Sequence, residues 1–558
     1  MQIAKVQASL ARKALYQPNT RFADLFNLVI HPHWLWIATE SVLSSQGASV
    51  AGVDGLTRED IKGSAHLFAE QLAFDLKAGS YQPQPVKWSV TLRADGQQQP
   101  GGNATLRDCI VQEACRMVLE PIMESHFLNC STGARPVRHK MDAISLVAGF
   151  ARDDARMWWA MRGEIATCFE AIPHSRLQGV LKQYIQDKKL LALLATLLHA
   201  GVARRGKVVM SANGVLSGGL LLPLLVNVYL HELDKLWWSR YGSLSEAEQT
   251  QRRQQGLGNV QFVRHLDSFV VLTNGDKAFA QELSTEFTQS VHELGLTLDI
   301  TRTAVVHFND GFDFLGFRLQ RVESELPQKS VILVKPVPEN ITRLKDALRA
   351  LTGRASTGDD PAHKLRAINA LARSWADYYC YANASDEFGD LCRFIHMRVY
   401  YWLKARHSNL SARESVKKHV LQTYLTHYTP TRKTWGIAGV KLVPIDTIEH
   451  KRYSIHWPEE RNPYLQYSLA HLRVTDEVPL PDPTHSWRGH AEPDAYAVAR
   501  LERLDQIGHR CEECASTEGV LQTYRSAPPR EHGKHRADNL RVLCEGCYSK
   551  TYSGGRKS

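Results

Sequence analysis

FVRHLDSFVVL, residues 262–272, is the stretch of sequence that decides the fold of this chain. Apolar runs lie on both sides of a short polar centre, which predicts two antiparallel strands joined by a tight turn with Asp267 and Ser268 at its tip. Two adjacent carboxylates on such a turn would hold a pair of magnesium ions, since Mg²⁺ prefers charged oxygen ligands. Asp267 is the only carboxylate in this stretch, so the turn lacks the second carboxylate that such a pair of ions would need.

The size and composition of the chain indicate a multidomain protein with a polyanionic partner. A chain of 558 residues is too long to fold around one hydrophobic core. Its length indicates roughly three or four domains. Apolar residues make up 43% and charged residues 23% of the chain, and no apolar run approaches the ~18 residues that span a bilayer. We therefore expect a cytoplasmic protein without a membrane partner. The net charge of +10 favours a polyanion, although basic charge alone is compatible with solubility or non-specific binding.

The cysteine pattern predicts a metal site near the C-terminal end. Ten cysteines are scattered along the chain, except for two CxxC pairs. Cys511, Cys514, Cys544 and Cys547 can supply four thiolates to a tetrahedral structural zinc, although the 29 residues between the pairs exceed the usual spacing. A coincidental pair of CxxC motifs is the alternative. We expect zinc to stabilise the last ~50 residues, because so short a unit has little core of its own.

Basic residues concentrate between Lys404 and Arg452, where ten Lys or Arg accompany three acids, a net charge of +7. Aromatic residues are interleaved with them, and bases can stack on rings while phosphates contact cations. We expect this segment to bind RNA; a solvated basic surface is the alternative. The candidate contacts here are Lys404, Arg406, Lys417, Lys418, Arg432, Lys433, Lys451 and Arg452. A shorter patch at Arg135, Arg138 and Lys140 is equally compatible with RNA contact or with a solvated loop.

Motifs on both sides of the hairpin carry a resemblance to a known family. They are TLRDCIVQEACRMVLEPIMESHF (105–127), EIATCFEAIPHSRL (164–177), GVLSGGLLLPLLVNVYLHELD (214–234), DGFDFLGFRL (310–319) and KLRAINALARSWADYYCYA (364–382). The apolar spacing of the first predicts a helix over 105–127, and the last is predicted to be helical, with Trp375 and Tyr379 in the core of a helical bundle. In order and spacing they resemble the proteins encoded by bacterial group II introns, which combine a reverse transcriptase, a maturase domain X and an HNH-type endonuclease. The hairpin itself is similar to the F-x-R-Y-A-D-D-F motif of that family.

The resemblance implies a multidomain α+β protein with the right-hand fold of polymerases. Fingers and palm would occupy residues 1–330 and an α-helical thumb 331–410. The basic extension of maturase domain X would follow at 411–476, then a linker at 477–500 and a small HNH-like zinc module at 501–558.

The palm of this chain departs from the family at its working positions. Ser268 stands where the family has a second metal-binding Asp, and Glu164 replaces the Asp of the third carboxylate. The extra methylene moves the carboxylate, and a displacement of ~1 Å can lower a rate by about two orders of magnitude. Gln99 replaces an arginine that grips the triphosphate, while Leu216 and Ser217 replace residues that hold the template. The resemblance therefore implies that reverse transcriptase activity is lost.

The C-terminal module departs from the family in a similar way. Tyr524 and Arg525 stand where the HNH strand has two histidines, and Tyr548 replaces the last histidine. Neither Tyr nor Arg acts as a neutral imidazole base or binds magnesium near pH 7. The resemblance implies a zinc scaffold without a nuclease centre.

The leading hypothesis is a splicing cofactor that binds a group II intron RNA and stabilises its active fold. Magnesium would then enter only through the bound RNA, and weak DNA binding is left open. Two other hypotheses are a weak residual RNA-directed DNA polymerase that uses Glu164 and Asp267, and a domesticated RNA-binding scaffold in a host complex. The oligomeric state and the identity of the RNA do not follow from the sequence.

Overall fold

The structure is a computed structural model, and it divides the chain into two compact units, Met1–Pro481 and Asp482–Ser558. The division falls inside the segment 477–500 that the sequence predicts as a linker. No described helix is long and apolar enough to cross a membrane. The described residues are 3–92, 98–205, 207–210, 212–214, 219–323, 330–406, 420–424, 432–437, 440–455, 457, 462–465, 503, 506–507, 510–515, 521–525, 540–544 and 547. Only the backbone is described at 46, 90–92, 98–100, 420–424, 432–433, 437, 521–525 and 544.

The first part of the larger unit is a helical layer with a β-hairpin beside it. Its elements are α1 (Ile3–Tyr16), α2 (Leu25–Val29), α3 (Pro32–Ser44), α4 (Arg58–Ile61), α5 (Ala65–Ala78), β1 (Val86–Leu92), β2 (Gln98–Asn103) and α6 (Leu106–Glu124). The predicted helix over 105–127 is confirmed as α6. Thr105 caps it by accepting a hydrogen bond from the Asp108 amide, at 3.2 Å. α1 and α3 pack against α6, which is therefore buried along almost its whole length. The three helices form the core of this layer.

The palm is a four-stranded antiparallel sheet in the order β6-β7-β3-β8, with helices packed on it. The predicted hairpin is confirmed as β6 and β7, but its turn residues are Leu266 and Asp267, because His265 pairs with Ser268. β4 and β5 join the β1–β2 hairpin in a separate sheet. The elements of this region are α7 (Lys140–Phe150), β3 (Trp159–Glu164), α8 (Cys168–Ala171), α9 (His174–Tyr184), α10 (Lys188–Leu198), β4 (Val202–Arg204), β5 (Lys207–Val209), α11 (Leu222–Trp237), α12 (Glu246–Gln254), β6 (Val260–His265), β7 (Ser268–Thr273), α13 (Lys277–Glu293) and β8 (Ala304–His307).

The thumb joins the palm through a second sheet and a cluster of tyrosines. The elements are β9 (Phe312–Phe314), β10 (Phe317–Glu323), β11 (Ser330–Pro336), α14 (Pro338–Leu351), α15 (Pro361–Tyr379) and α16 (Ser385–Arg406). Tyr378 donates to the carbonyl of Leu315 at 2.8 Å, and Tyr379 donates to that of Gly316 at 3.0 Å. Both hydroxyls therefore hold the β9–β10 turn against the thumb. The predicted helical bundle and its aromatic core are confirmed, since Tyr379 is buried and Trp375 packs beside it.

The region after the thumb, where the resemblance places the basic extension of domain X, contains strands. Its described parts form a three-stranded antiparallel sheet, β12 (Val420–Tyr424), β13 (Arg432–Ile437) and β14 (Val440–Lys441). Asn369 of α15 fixes this sheet, because its side chain donates to the Lys441 carbonyl at 2.7 Å and accepts from the Val443 amide at 2.9 Å. Trp435 completes the junction by packing on α16.

The chain then returns to the palm and the helical layer. We call the described residues Tyr453–Ile455, Trp457 and Asn462–Leu465 the return segment. Tyr453 donates to the Asp142 carboxylate of α7 at 2.8 Å. Asn462 donates to the Pro121 carbonyl of α6 at 2.7 Å, and the buried Tyr464 donates to Glu120 of the same helix. Asn462 and Tyr464 thus form buried hydrogen bonds with residues of α6 that lie more than 300 positions earlier in the sequence.

The smaller unit contains an antiparallel hairpin of β15 (Leu521–Arg525) and β16 (Leu540–Cys544). The loop around Cys511 is tied to β16 in two ways. The Glu512 amide donates to the Val542 carbonyl at 2.9 Å, and the Glu512 carboxylate accepts from the Val542 amide at 2.9 Å. These contacts place Cys511 beside the strand that ends at Cys544.

Candidate palm site and nucleic-acid interface

A fully buried arginine fixes the geometry around the palm hairpin. Arg264 of β6 is 0% exposed and forms a forked ion pair with the equally buried Asp234 of α11, at 2.8 and 2.6 Å. The same guanidinium donates to the Asn227 side chain, the Ser131 hydroxyl and the Leu266 carbonyl, at 2.9–3.0 Å. Asp234 and Asn227 both belong to α11, so the guanidinium joins β6 to α11, to the hairpin turn and to the loop before α7.

The hairpin turn is held from two sides. Leu266 has a φ of +55°, in the left-handed region that a branched side chain rarely adopts. Gly133 packs against it so closely that a Cβ there would lie 2.5 Å from the Leu266 nitrogen. Asn227 donates to the Gly133 carbonyl at 2.8 Å. The turn is therefore kept in a strained conformation by contacts that only glycine permits at position 133.

Burial alone would raise the pKa of Asp234, but the charge and hydrogen bonds of Arg264 outweigh it and hold that pKa below its usual value. The ion pair is consequently fully formed at neutral pH. Its contribution to stability persists above a pH of about 4 and is lost as the pH falls below that, because protonation then removes the carboxylate.

The structure brings together the palm residues that the sequence singles out. Glu164 ends β3 and pairs with Ser268 of β7. The Ile165 amide donates to the Asp267 carbonyl at 2.9 Å. Glu164, Asp267 and Ser268 therefore meet at one end of the palm sheet, as the resemblance predicts.

A cation that the sequence analysis did not single out lies at this centre. Arg302, just before β8, donates to both carboxylate oxygens of Glu164, at 3.0 and 2.9 Å. It also lies 3.8 Å from the Asp299 carboxylate. A guanidinium thus engages the carboxylate that would have to bind a metal.

These donors do not fit a pair of magnesium ions. Position 268 offers a hydroxyl instead of a carboxylate, and both oxygens of Glu164 are engaged by Arg302. Within the described part of the chain, three or more potential ligands converge only at Cys511, Cys514 and Cys547. Because Arg302 competes for the oxygens of Glu164 and position 268 supplies no carboxylate, we derive no chemical step from a palm metal.

Several other predicted positions lie outside the described residues or side chains. Leu216, Ser217, Lys417, Lys418 and Tyr548 fall outside the described residues. Gln99, Arg432, Lys433, Tyr524 and Arg525 lie on strands, and only their backbone is described.

The predicted patch at residues 135–140 is corrected by the structure. Arg135 is 3% exposed and forms an ion pair with Glu124 at 2.8 Å, while donating to the carbonyls of Leu128 and Ser131. Arg138 is 6% exposed, and its burial lowers its pKa to about 10. Arg135 is held by groups of its own loop and of α6, and Arg138 lies against the Trp457 ring of the return segment. Both guanidiniums are therefore buried in the protein, which favours the structural interpretation of this patch over RNA contact.

The other candidate RNA contacts differ in exposure. Lys140 lies with its Nζ 3.7 Å from the centre of the Tyr378 ring. Arg406 donates to the Thr357 and Asp359 carbonyls, which anchors its guanidinium to the protein. Lys404, Lys451 and Arg452 are exposed, as an RNA contact requires.

An exposed row of rings and cations follows the outer face of α16. Met397 and Tyr401 are 44% and 54% exposed, and they share a helix face with Phe394 because they lie three to four residues apart. The Arg349 guanidinium and the Lys345 Nζ of α14 lie 5.3 and 5.7 Å from the Phe394 ring centre. We call this set, together with the exposed Arg393 and Lys404, the thumb stripe. The predicted RNA-binding segment, 404–452, contains only Lys404 of the thumb stripe. The heptad-like spacing of residues 394, 397 and 401 could have revealed the apolar part of the stripe from the sequence.

The C-terminal cysteines are partly assembled. The Sγ atoms of Cys511, Cys514 and Cys547 all lie within 4.8 Å of one another. Cys544 ends β16 beside them in sequence, and its side chain lies outside the described part. Three converging thiols are the donor set that zinc prefers, so these residues fit a zinc ion.

Comparisons with known proteins agree with this architecture. Residues 96–319 match the model of reverse transcriptases (RNA-dependent DNA polymerases), and residues 341–421 match that of the maturase-specific domain of group II introns. The chain is 32% identical to Protein YkfC of Escherichia coli over 60% of this chain and 93% of that protein. It is 24% identical to the group II intron-encoded protein LtrA of Lactococcus lactis over 90% of this chain and 89% of that protein. It is 25% identical to the mitochondrial nuclear intron maturase 3 of Arabidopsis thaliana over 42% of this chain and 34% of that protein.

Asp234→Asn should destabilise the palm strongly, because it leaves the Arg264 guanidinium buried without a counter-charge. Breaking a buried pair in this way costs about 3–5 kcal/mol. Local opening of β3, β6 and β7 should therefore become at least a hundredfold more frequent, by roughly 1.4 kcal/mol per factor of ten. Hydrogen exchange of the amides of these strands measures this effect.

Asp390→Asn is the matched control, since it breaks an ion pair with Arg393 in which both side chains are more than half exposed. Such surface pairs contribute about 0–1 kcal/mol. Equal exchange rates in the two variants would contradict the role assigned to Arg264.

Proposed function

The chain belongs to the family of group II intron-encoded reverse transcriptases and maturases, and on that premise we propose that it is an RNA-binding splicing cofactor. It binds a group II intron RNA and stabilises the folded state in which the RNA splices itself. Its reverse transcriptase and DNA endonuclease activities have been lost. It acts in the bacterial cytoplasm as part of a ribonucleoprotein.

The observation that carries this proposal is the thumb stripe. It lies inside residues 341–421, the part of the chain that matches the maturase-specific domain. Exposed rings accept stacked bases, and neighbouring cations contact the phosphates of the same strand. Met397 and Tyr401 expose apolar surface next to the cations of the stripe, which suits stacking of bases beside phosphate contacts.

A cofactor of this kind needs charge, shape and stacking, and it needs no metal of its own. The phosphate contacts supply affinity that does not depend on sequence, since each one releases counterions from the RNA. The rings of the stripe add stacking where bases are unpaired. The catalytic magnesium belongs to the intron RNA, and the protein lowers the magnesium concentration that the RNA needs to fold.

Loss of polymerase activity is supported by the Glu164–Arg302 pair. Arg302 neutralises a carboxylate that a polymerase would need for metal binding, and Ser268 removes another. A weak residual polymerase is the second candidate, favoured by the position of Asp267 beside Glu164 at the end of the palm sheet. A domesticated scaffold in a host complex would share the RNA surface and differ only in the RNA that it binds.

For the smaller unit we propose a structural zinc ion held by Cys511, Cys514, Cys547 and Cys544. The ion would link the loop of Cys511 to the end of β16 and to Cys547. Tyr524 and Arg525 replace the histidines of an HNH centre, so this HNH-like module has no nuclease role in the proposal. Nucleic-acid docking is its proposed remaining use.

Removing the charges of the stripe should weaken RNA binding in a salt-dependent way. The combined variant Lys345→Ala, Arg393→Ala and Lys404→Ala should lower the slope of log Kd against log salt by about 2–3, at roughly 0.7–0.9 per phosphate contact. Tyr401→Ala should weaken binding with the slope unchanged, because stacking releases no counterions. Filter binding of the intron RNA that neighbours the gene, over a range of salt concentrations, measures both effects.

The control for net charge is Lys182→Ala, Lys188→Ala and Lys189→Ala, which removes three exposed cations from α9 and α10. We expect a smaller change in slope from this variant. Equal slopes for the two triple variants would show that binding follows net charge alone and would remove the support that the stripe gives to the proposal.

Metal analysis should find about one zinc ion per chain, because the cysteines form one tetrahedral set. Chelation should make residues 482–558 sensitive to protease, since so small a unit depends on its metal. Cys511→Ser should reproduce this sensitivity, while Cys109→Ser, outside the cluster, should not. A chain without zinc, or a Cys511→Ser variant as resistant as the parent, would refute the zinc site.

A further inference from the structure

Two histidines outside the palm centre and the cysteine cluster face each other. His174 is the first residue of α9, and His199 directly follows α10. The Nδ1 atom of His174 lies 3.5 Å from the Nε2 atom of His199, and the two ring planes meet at 76°. His174 is 4% exposed, whereas His199 is exposed to solvent. One imidazole is therefore held inside the protein, and the other is open to a ligand from solution.

The remaining ring nitrogens fix the tautomer of each histidine. Nε2 of His174 lies 2.5 Å from the Gly214 carbonyl oxygen, and Nδ1 of His199 lies 2.7 Å from that of Ala195. A carbonyl oxygen only accepts hydrogen bonds, so both of these nitrogens carry a hydrogen. In a neutral imidazole the other nitrogen then presents a lone pair. The two nitrogens that face each other are thus both acceptors, and neither can donate to the other.

A metal ion fits these two nitrogens better than a bridging water molecule. Zinc binds imidazole nitrogen at about 2.0–2.1 Å, so two such ligands at the tetrahedral angle are about 3.4 Å apart. The observed 3.5 Å agrees with this spacing. A water that donates to both nitrogens at about 2.8 Å would hold them about 4.4 Å apart, because its O–H bonds diverge by about 105°. Each histidine also donates its other N–H to a backbone carbonyl, the arrangement typical of histidines that bind metals.

The surroundings of the inner histidine favour the neutral form that a metal requires. Burial lowers the pKa of His174, and His199 lowers it further, although the hydrogen bond to Gly214 opposes both. His174 is therefore neutral at neutral pH and free of the proton that would compete with a metal. Imidazole nitrogens suit zinc, copper, nickel and iron ions, whereas magnesium and calcium prefer oxygen ligands. Within the described part of the chain, no third histidine, cysteine or carboxylate converges on this pair, so water would supply the other ligands.

We propose that His174 and His199 bind one divalent transition-metal ion such as Zn²⁺, with water completing its coordination. The ion would join the start of α9 to the end of α10. It would also brace the loop that leads into the motif at 214–234, since the ring and the amide of His174 hold the carbonyls of Gly214 and Ala212. This site goes beyond the proposed function, because it requires neither RNA nor the C-terminal cysteines.

Calorimetric titration of the full chain with Zn²⁺, after one equivalent has been added for the cysteine site, isolates the histidine pair. We expect a further binding event with a Kd of about 1–100 µM, because two imidazoles supply half of the ligands of a tight zinc site. This ion should be lost on desalting, which distinguishes it from a tightly held structural zinc. The event should persist in Cys511→Ser, since the cysteines do not contribute to it.

His199→Gln locates the binding at an exposed position, where the fold depends little on the side chain. It should weaken the further event at least about tenfold, because one of two protein ligands is lost. His292→Gln, which removes an exposed histidine from α13, is the matched control and should change nothing. NMR of the ¹⁵N-histidine-labelled chain needs no variant: zinc should shift Nδ1 of His174 and Nε2 of His199, while their other ring nitrogens stay protonated.

The proposal is overturned if the titration shows no further event, or if His199→Gln binds the ion as tightly as the parent. An event that disappears in Cys511→Ser belongs to the cysteines and overturns it as well. So does a pair of rings whose nitrogen signals ignore zinc, or one that holds a shared proton at neutral pH in place of the metal.

Discussion

The palm depends on one buried ion pair, between Arg264 and Asp234, since neither side chain is exposed. Removing two charges from water is so costly that such a pair adds little net stability by itself. Its effect is geometric. A guanidinium with five donors is satisfied here only when α11, the loop of Ser131 and the Leu266 carbonyl are all in place. Alternative packings of the hairpin would leave a buried charge unpaired, so the network selects one arrangement of the palm.

The contrast between this network and the palm centre shows which contacts hold the fold together and which lie at the end of the sheet. Arg264, Asp234 and Asn227 require each other, and any one substitution leaves buried polar groups without partners. Glu164 and Arg302 instead lie at the end of the sheet, where each is about a quarter exposed and a new ion pair forms at little cost. Substitutions at this end of the sheet should therefore disturb the fold less than substitutions in the Arg264 network.

The sequence predicted the parts of the structure that follow from local pattern. α6, the β6–β7 hairpin and the thumb helices were expected because their apolar spacing and turn residues determine them. Arg302 was missed because it meets Glu164 only through the pairing of β3 with β8, which no spacing reveals. The burial of Arg138 could not be predicted for a similar reason, because the Trp457 ring that it packs against comes more than 300 residues later in the sequence. The cysteine set was visible in the sequence because its chemistry depends on residue type and short spacing.

Splicing and cDNA synthesis, measured in one preparation, test the central claim most directly. The purified chain is added to the neighbouring group II intron RNA at low magnesium, and to a primed RNA template with deoxynucleotides. The account predicts faster splicing with the protein than without it, unchanged by Glu164→Ala or Asp267→Ala, and no primer extension. Splicing that is indifferent to the protein, or primer extension that Asp267→Ala abolishes, would contradict it.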